Sequence, residues 1–259
     1  MITLAAFYKD LKETKLSSKL TKRIKNNKID YRSSLDMMQQ TLLKTNPTAT
    51  FTVKTCNETQ LNYNNIFRTN CTRINLIESF VRCDLNFVRQ HYGKTIMVGS
   101  DHLVCGDLRK FFEEDYDFAT CIQNNTFDST HRTNVMNFMF INDKDAKSHK
   151  RLEKFFLRRY EIFKTFEEQD RLWWGDQKSL SVALNSEGHI QNFYDSNGKD
   201  NMFELNGLRI KLFRYPNSYI TRPNREGTAN IDESIIVDFA GDQAKKYVNG
   251  IFNGIMERT

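Results

Sequence analysis

The apolar run Ile96-Met97-Val98 breaks at Gly99-Ser100-Asp101, resumes at Leu103-Val104 and breaks again at Gly106-Asp107; no other stretch of this chain restricts its fold as much. A short, wholly apolar run of this kind is a strand buried inside a covered sheet. Asp101 then stands just past the strand, at the C-terminal edge of the sheet. In open α/β folds that edge is where ligands bind. An Asp here either caps the following turn or offers its carboxylate to a ligand, and the stretch alone leaves both open.

The rest of the chain alternates strands with helices. Strands are read at 2–7, 50–55, 95–99, 115–121, 134–142, 208–213 and 234–239. A helix capped by Ser33 or Ser34 runs through Lys44, with Leu35, Met38, Leu42 and Leu43 on one face, and Asn46-Pro47 ends it. A second spans Asn75 to Gln90 with Gly93 as its stop, a long basic one spans 144–166, one starts at Asp176, and the last covers 241–256. Gly106-Asp107 opens a short helix closed by Phe111 and Phe112. This pattern is an α/β fold, a mostly parallel mixed sheet flanked by helices. Residues 9–29 contain no Gly or Pro and read as a helix or a flap.

The chain has 259 residues, three prolines and no Ser/Gly-rich linker, so one continuous domain over 1–259 is expected. Its N-terminus lacks a signal-peptide core, and no apolar run approaches the roughly 20 residues of a membrane helix. The expectation is a soluble, cytoplasmic protein with no membrane partner. Cys56, Cys71, Cys83, Cys105 and Cys121 are odd in number and show no Cys-x-x-Cys spacing, so reduced core thiols are expected. The net charge of +6 is concentrated. Residues 9–28 carry eight basic side chains against two acids, and residues 147–164 carry seven against two. The remainder is net acidic. Two basic elements on an acidic body are either solvated helix faces or a surface for a polyanion, with Lys22, Arg23, Arg158 and Arg159 as candidate contacts.

No Ser-His-Asp or Cys-His set, P-loop or Gly-x-Gly-x-x-Gly fingerprint is present, and the five histidines lack metalloprotease spacing. Hydrolase, kinase and dehydrogenase readings lose ground accordingly. His102, on an extended chain, is expected to point away from Asp101.

Residues 95–108 resemble the metal-binding segment of nucleotide-sugar glycosyltransferases with the GT-A fold, in which a strand delivers an Asp-x-Asp pair and "leucine-valine-x-glycine-aspartate-leucine" often follows. Here Gly99 stands at the first acidic position and Asp101 at the second. Three further segments are similar to that family and come in its order. Trp173-Trp174-Gly175-Asp176-Gln177 looks like the helix start placed beneath the donor sugar. Ile235-Ile236-Val237-Asp238-Phe239-Ala240-Gly241 looks like the late motif whose His is the last metal ligand, with Asp238 in the place of that His. The strand through Thr55 ends where similar transferases contact the nucleotide.

The resemblance implies a single Rossmann-like GT-A domain, with 1–130 mainly binding nucleotide and 131–259 mainly donor sugar and acceptor. It implies Mn²⁺ or Mg²⁺ on Asp101 and Asp238, hard oxygen ligands suited to either ion. It assigns Tyr8, Thr55, Ser100, Asn137, Gly241 and Lys245 to the donor, Trp173 and Trp174 to the acceptor wall, and Asp176 and Gln177 to the reaction. The residues themselves leave a second reading at several positions. Asp176 and Asp238 each fit a helix cap, Asn137 a buried amide, and Tyr8 plain packing. Asp176 would be a general base if the reaction inverts stereochemistry, and with Gln177 would hold the donor sugar if it retains.

The function expected is transfer of a sugar from a nucleotide-diphosphate donor, such as a UDP-sugar, to an acceptor hydroxyl. The basic elements direct the acceptor towards a hydroxymethylated pyrimidine in duplex DNA, as in a phage-type enzyme, with saccharide or protein acceptors as alternatives. The loss of the acid at Gly99 motivates the rival from another class, a non-catalytic polyanion-binding module on a degenerate transferase fold. The sequence leaves the oligomeric state open.

Overall fold

The structure is a computed structural model that describes residues 1–10, 30–71, 75–123, 135–172, 174–199, 201–239 and 246–258. Its first strand, β1 (Ile2–Phe7), has both faces buried. Ile2, Leu4 and Ala6 enter one core, and Ala5 and Phe7 enter the other, as the two-residue period of a strand requires. Helix α1 (Tyr31–Thr45) leads to β2 (Thr50–Cys56) and β3 (Ile66–Thr69). Helix α2 (Leu76–Gln90), β4 (Lys94–Val98), β5 (His102–Val104) and a 3₁₀ turn (Leu108–Phe112) follow. The second half runs β6 (Phe118–Gln123), β7 (Val135–Asn142), α3 (Ala146–Lys164), α4 (Glu168–Leu172), α5 (Gly175–Leu184) and α6 (His189–Asp195). It ends with β8 (Met202–Leu205), β9 (Leu208–Tyr215), β10 (Ile220–Thr221), β11 (Ile236–Asp238) and α7 (Val248–Glu257).

Eight strands form one sheet in the order β3-β2-β1-β4-β7-β6-β9-β8, and β10-β11-β5 form a second, small one. β1 pairs parallel with β2 on one side and β4 on the other, so the strand order reverses at β1. β7 is antiparallel to both β4 and β6, while β9 runs parallel to β6. One edge of the sheet therefore gathers the C-terminal ends of β1, β2, β4, β6 and β9 together with the N-terminal end of β7. This is the switch-point edge at which α/β sheets bind ligands.

One face of the sheet is covered by α2, α3 and α5, which pack on one another. The other is covered by α1, the 3₁₀ turn and the small sheet, with α7 closing a third cluster around Leu103, Val237, Phe239, Ile251 and Ile255. Period 2 along β7 divides Met139 and Ile141 from Phe138 and Phe140 between the two cores.

Several boundaries differ from the sequence reading for local reasons. Asp30, not Ser33 or Ser34, caps α1, because its carboxylate accepts the Arg32 and Ser33 N–H groups at 3.0 and 3.2 Å. The strand expected from 115 starts at Phe118, since Asp115 is drawn into ion pairs with Lys144 and Arg209. The described part of the C-terminal helix is Val248–Glu257, and residues 241–245, where it was expected to start, lie outside the described residues. Strands β3 and β8 and helices α4 and α6 were not expected; each is short, with four to seven residues. The segment 11–29 lies outside the described residues. No helix among the described residues is long and apolar enough to cross a membrane. All five cysteines are free and buried, as expected.

Candidate active site

The break after β4 places Asp101 at the sheet edge, and β5 then pairs antiparallel with β11, setting His102 opposite Asp238. The Phe239 N–H donates to the Asp101 carbonyl at 2.9 Å and extends the ladder by one more bond. These backbone bonds bring two distant acids and a histidine together. Asp101, His102 and Asp238 each offer a ligand atom, and the three atoms lie within 4.8 Å of one another.

His102 is the bridge, which corrects the expectation that it points away from Asp101. Its Nε2 is 3.2 Å from Asp238 Oδ1 and its Nδ1 is 3.6 Å from Asp101 Oδ1. The ring meets Phe138 edge-on at 4.6 Å between centroids. Burial alone would push the imidazolium down, but the hydrogen bond to Asp238 and the charges of Asp238 and Asp101 outweigh it and raise the pKa. Asp238 is wholly buried, and its Oδ2 accepts a hydrogen bond from the Tyr215 hydroxyl at the end of β9. Burial and that carboxylate hold the Tyr215 phenol far above its ordinary value. The helix that Asp238 would alternatively cap is expected from Gly241, which lies outside the described residues.

A Cβ at Gly99 would lie 3.0 Å from Asp101 Oδ1, a contact that a small shift of that partly exposed carboxylate relieves. Two carboxylates and an imidazole at this spacing could hold a divalent metal ion.

On the other face of the sheet edge, β7 supplies Asn137 and α5 supplies Asp176. The Asn137 Nδ2 donates to Asp176 Oδ2 at 2.8 Å, across 39 residues of sequence. Asp176 is not a helix cap: the capping position is Trp174, in the left-handed region at φ 68°, with no side-chain cap bond. Burial raises the Asp176 pKa, against the lowering pull of Arg159 and of first-turn backbone N–H groups. Two amide oxygens here, Asn137 Oδ1 and Gln177 Oε1, are buried and have no hydrogen-bond partner among the described residues. Buried acceptors of this kind are ordinarily satisfied, so both oxygens keep unused hydrogen-bonding capacity.

Beneath Asp176 lies a network that the sequence did not disclose. Asp84 on α2 pairs through one oxygen with Lys54 and through the other with Arg159 Nη1 at 2.8 Å. All three side chains are fully buried. Arg159 Nη2 also donates to the Asp176 carbonyl at 3.2 Å and so fixes the start of α5. With Asp176, the network holds two cations and two anions.

Other expected residues fare differently. Arg159 is internal, so its assignment to an acceptor surface is corrected, and Lys9 of the first basic segment is buried against Ser79 at 3.0 Å. Thr55 has no exposed surface, so its side chain is not presented to a nucleotide, and its Oγ1 lacks a partner among the described residues. Gly175 approaches core rather than ligand: a Cβ would meet Phe163 at 2.6 Å and the Asp170 carbonyl at 2.8 Å. Tyr8 and Ser100 stand half-buried at the sheet edge, and Arg158 is exposed. Trp173, Gly241, Lys245, Lys22 and Arg23 lie outside the described residues.

The chain matches no protein-family model and no curated protein. Among solved structures it is similar to the galactosyltransferase LgtC in complex with donor and acceptor sugar analogues (TM-score 0.52, 11% identity, 98% of this chain and 94% of LgtC). An active-site glutamine-to-glutamate mutant of LgtC aligns likewise (TM-score 0.50, 10% identity). The bifunctional glycosyltransferase WbbM covers the whole of this chain at TM-score 0.51 and 11% identity, and this chain spans half the length of WbbM. The architecture built up from β1 to α7 is therefore that of these enzymes, the GT-A glycosyltransferase fold.

Proposed function

We propose that the protein transfers a sugar from a nucleotide-diphosphate donor, probed first as UDP-sugars, to an acceptor hydroxyl. The observation that carries this reading is the convergence, on the switch-point edge of a GT-A fold, of an acid–imidazole–acid triad with the Asn137–Asp176 pair. A divalent ion held by Asp101, His102 and Asp238 would supply positive charge to the leaving diphosphate.

The remaining work falls to the chain's own side chains. Tyr8 and Ser100, half-buried at the ends of β1 and β4, are the residues assigned to the nucleotide in this reading. Asn137 Oδ1 and Gln177 Oε1 accept hydroxyl protons of the donor sugar and so fix its ring. Asp176, oriented by Asn137 and by the anchored start of α5, sets its negative charge beside the positive charge that develops at the anomeric carbon. That role favours the donor-holding assignment of Asp176 and Gln177 over a general base.

For the acceptor we favour a hydroxymethylated pyrimidine in duplex DNA. The support is the basic character of α3, where Lys150, Lys154 and Arg158 are exposed at a spacing of four residues and form one helix face. A panel of nucleotide sugars with Mn²⁺, with and without hydroxymethylated duplex, tests both levels by nucleotide release. Release from one donor, accelerated by the modified duplex, is the expected result. Release stimulated by an oligosaccharide alone would move the acceptor to a saccharide. No release from any donor would leave a polyanion-binding module. Reversing Lys150, Lys154 and Arg158 to Glu should weaken duplex binding and flatten its salt dependence while leaving donor hydrolysis unchanged.

A further inference from the structure

Three cysteines far apart in sequence converge at the β2 side of the same sheet edge. Cys56 ends β2, Cys71 follows β3, and Cys83 lies in the middle of α2. All three are fully buried. Their sulfurs lie within 4.8 Å of one another, and the Cys71 and Cys83 sulfurs are 3.7 Å apart. We propose that Cys56, Cys71 and Cys83 form a second metal site, a three-thiolate centre for Zn²⁺, separate from the acidic triad.

The spacing is the first support. Zn–S bonds of about 2.3 Å in a tetrahedron set sulfurs about 3.8 Å apart, so an ion enters this cluster with little movement of the three elements. Charge is the second. Three thiolates and Zn²⁺ leave one negative charge, and the buried Lys9 ammonium, which acts on Cys56 and Cys71, balances it. The Ser79 hydroxyl, which accepts from Lys9 at 3.0 Å and donates to the Asn75 carbonyl at 2.8 Å, fixes that ammonium in place.

Among the described residues, Cys105 and Cys121 belong to no such cluster. Soft sulfur ligands also separate this site from the triad, whose oxygen-rich set favours Mn²⁺ or Mg²⁺. A bound ion would tie the ends of β2 and β3 to α2, next to the strand end that carries Tyr8.

The test is a Co²⁺ titration of reduced wild-type protein freed of metal by a chelator. Thiolate-to-cobalt charge-transfer absorption should rise to saturation at one Co²⁺ per chain and be bleached by Zn²⁺. The Tm should increase with Zn²⁺, as for any ligand that binds only the folded chain. Cys83→Ser and Cys71→Ser should each lose most of the absorption, whereas Cys105→Ser and Asp101→Ala should retain it. Absence of the charge-transfer band in the wild type would overturn the proposal, whether or not the cysteine variants fold. So would its persistence in Cys83→Ser.

Discussion

The acid side of the site hangs on a backbone ladder, whereas the amide side hangs on buried side-chain charges. Asp101, His102 and Asp238 are placed by the β5–β11 pairing and by the Phe239 to Asp101 bond, so their geometry follows from strand register. Asp176 is placed by Arg159, which is itself held by Asp84, which is shared with Lys54. Register is a collective property of many backbone bonds and tolerates loss of one side chain. A buried charge network does not, because removing one member leaves another desolvated without its partner. The two sides should therefore answer mutation differently, the first mainly in activity and the second in stability as well.

The largest expected effect is on the network. Arg159→Met removes a fully buried cation from between Asp84 and the start of α5, and should cost about 3–5 kcal/mol of stability, read as a fall in the midpoint of urea unfolding. Arg158→Met, one residue away but exposed, should move that midpoint hardly at all. Equal, small shifts in both variants would show that the network is not what holds Asp176.

Next comes the ladder side. Asp101→Ala should lower metal-stimulated nucleotide release by about 10²–10³-fold while leaving the Tm unchanged, because its side chain is partly exposed and the strand pairing stays intact. Asp238→Ala should match that loss of activity and also destabilise by about 1–3 kcal/mol, since the Tyr215 hydroxyl and the His102 ring lose their partner. Near-normal turnover of either variant across a metal titration would remove that residue from the site.

This difference also explains what could be read in advance. The run around Asp101 and the run ending at Asp238 are strand-and-turn patterns contained in a few residues, so local reading found both acids. His102 was misread because an ideal extended strand was assumed through a break that turns its ring towards both carboxylates. Lys54, Asp84 and Arg159 look like ordinary surface charges in sequence, and only the packing of α2, α3 and β2 makes them internal. The three clustered cysteines were hidden in the same way, since their spacings of 15 and 12 residues match no metal-binding signature. The alternation of strands and helices was legible throughout, apart from short elements such as β3 and α6 that carry too few residues for a period.

Asp176→Asn addresses the amide side without breaking the network. It should cut turnover about 10²-fold, with the Tm held or slightly raised. Burial raises the Asp176 pKa, so the folded chain keeps its proton to a higher pH than the unfolded chain does. Its contribution to stability is therefore present at low pH and is lost as pH rises through the folded-state value. Activity that needs the ionised form should fall on the acid side at a higher pH than for an ordinary aspartate. The acid limb of a rate–pH profile should disappear in Asp176→Asn; an unchanged limb would assign it to another group.

The smallest expected effect separates the triad from the residues behind it. Tyr215 reaches Asp238 from β9, a strand of the large sheet, and its hydroxyl occupies one carboxylate oxygen while His102 faces the other. Tyr215→Phe keeps the ring against Phe138 and removes only that bond. A hydrogen-bonding partner behind a ligand orients it and tunes its basicity, and its loss commonly weakens metal affinity by about tenfold or somewhat more. The variant should therefore need about ten times more Mn²⁺ for half-maximal nucleotide release, while its rate at saturating metal returns close to that of the wild type. A lowered plateau with unchanged metal dependence would instead put Tyr215 in direct contact with the donor. The β9 strand end would then belong to the amide side of the comparison, where side chains meet the sugar, rather than to the ladder that holds the acids.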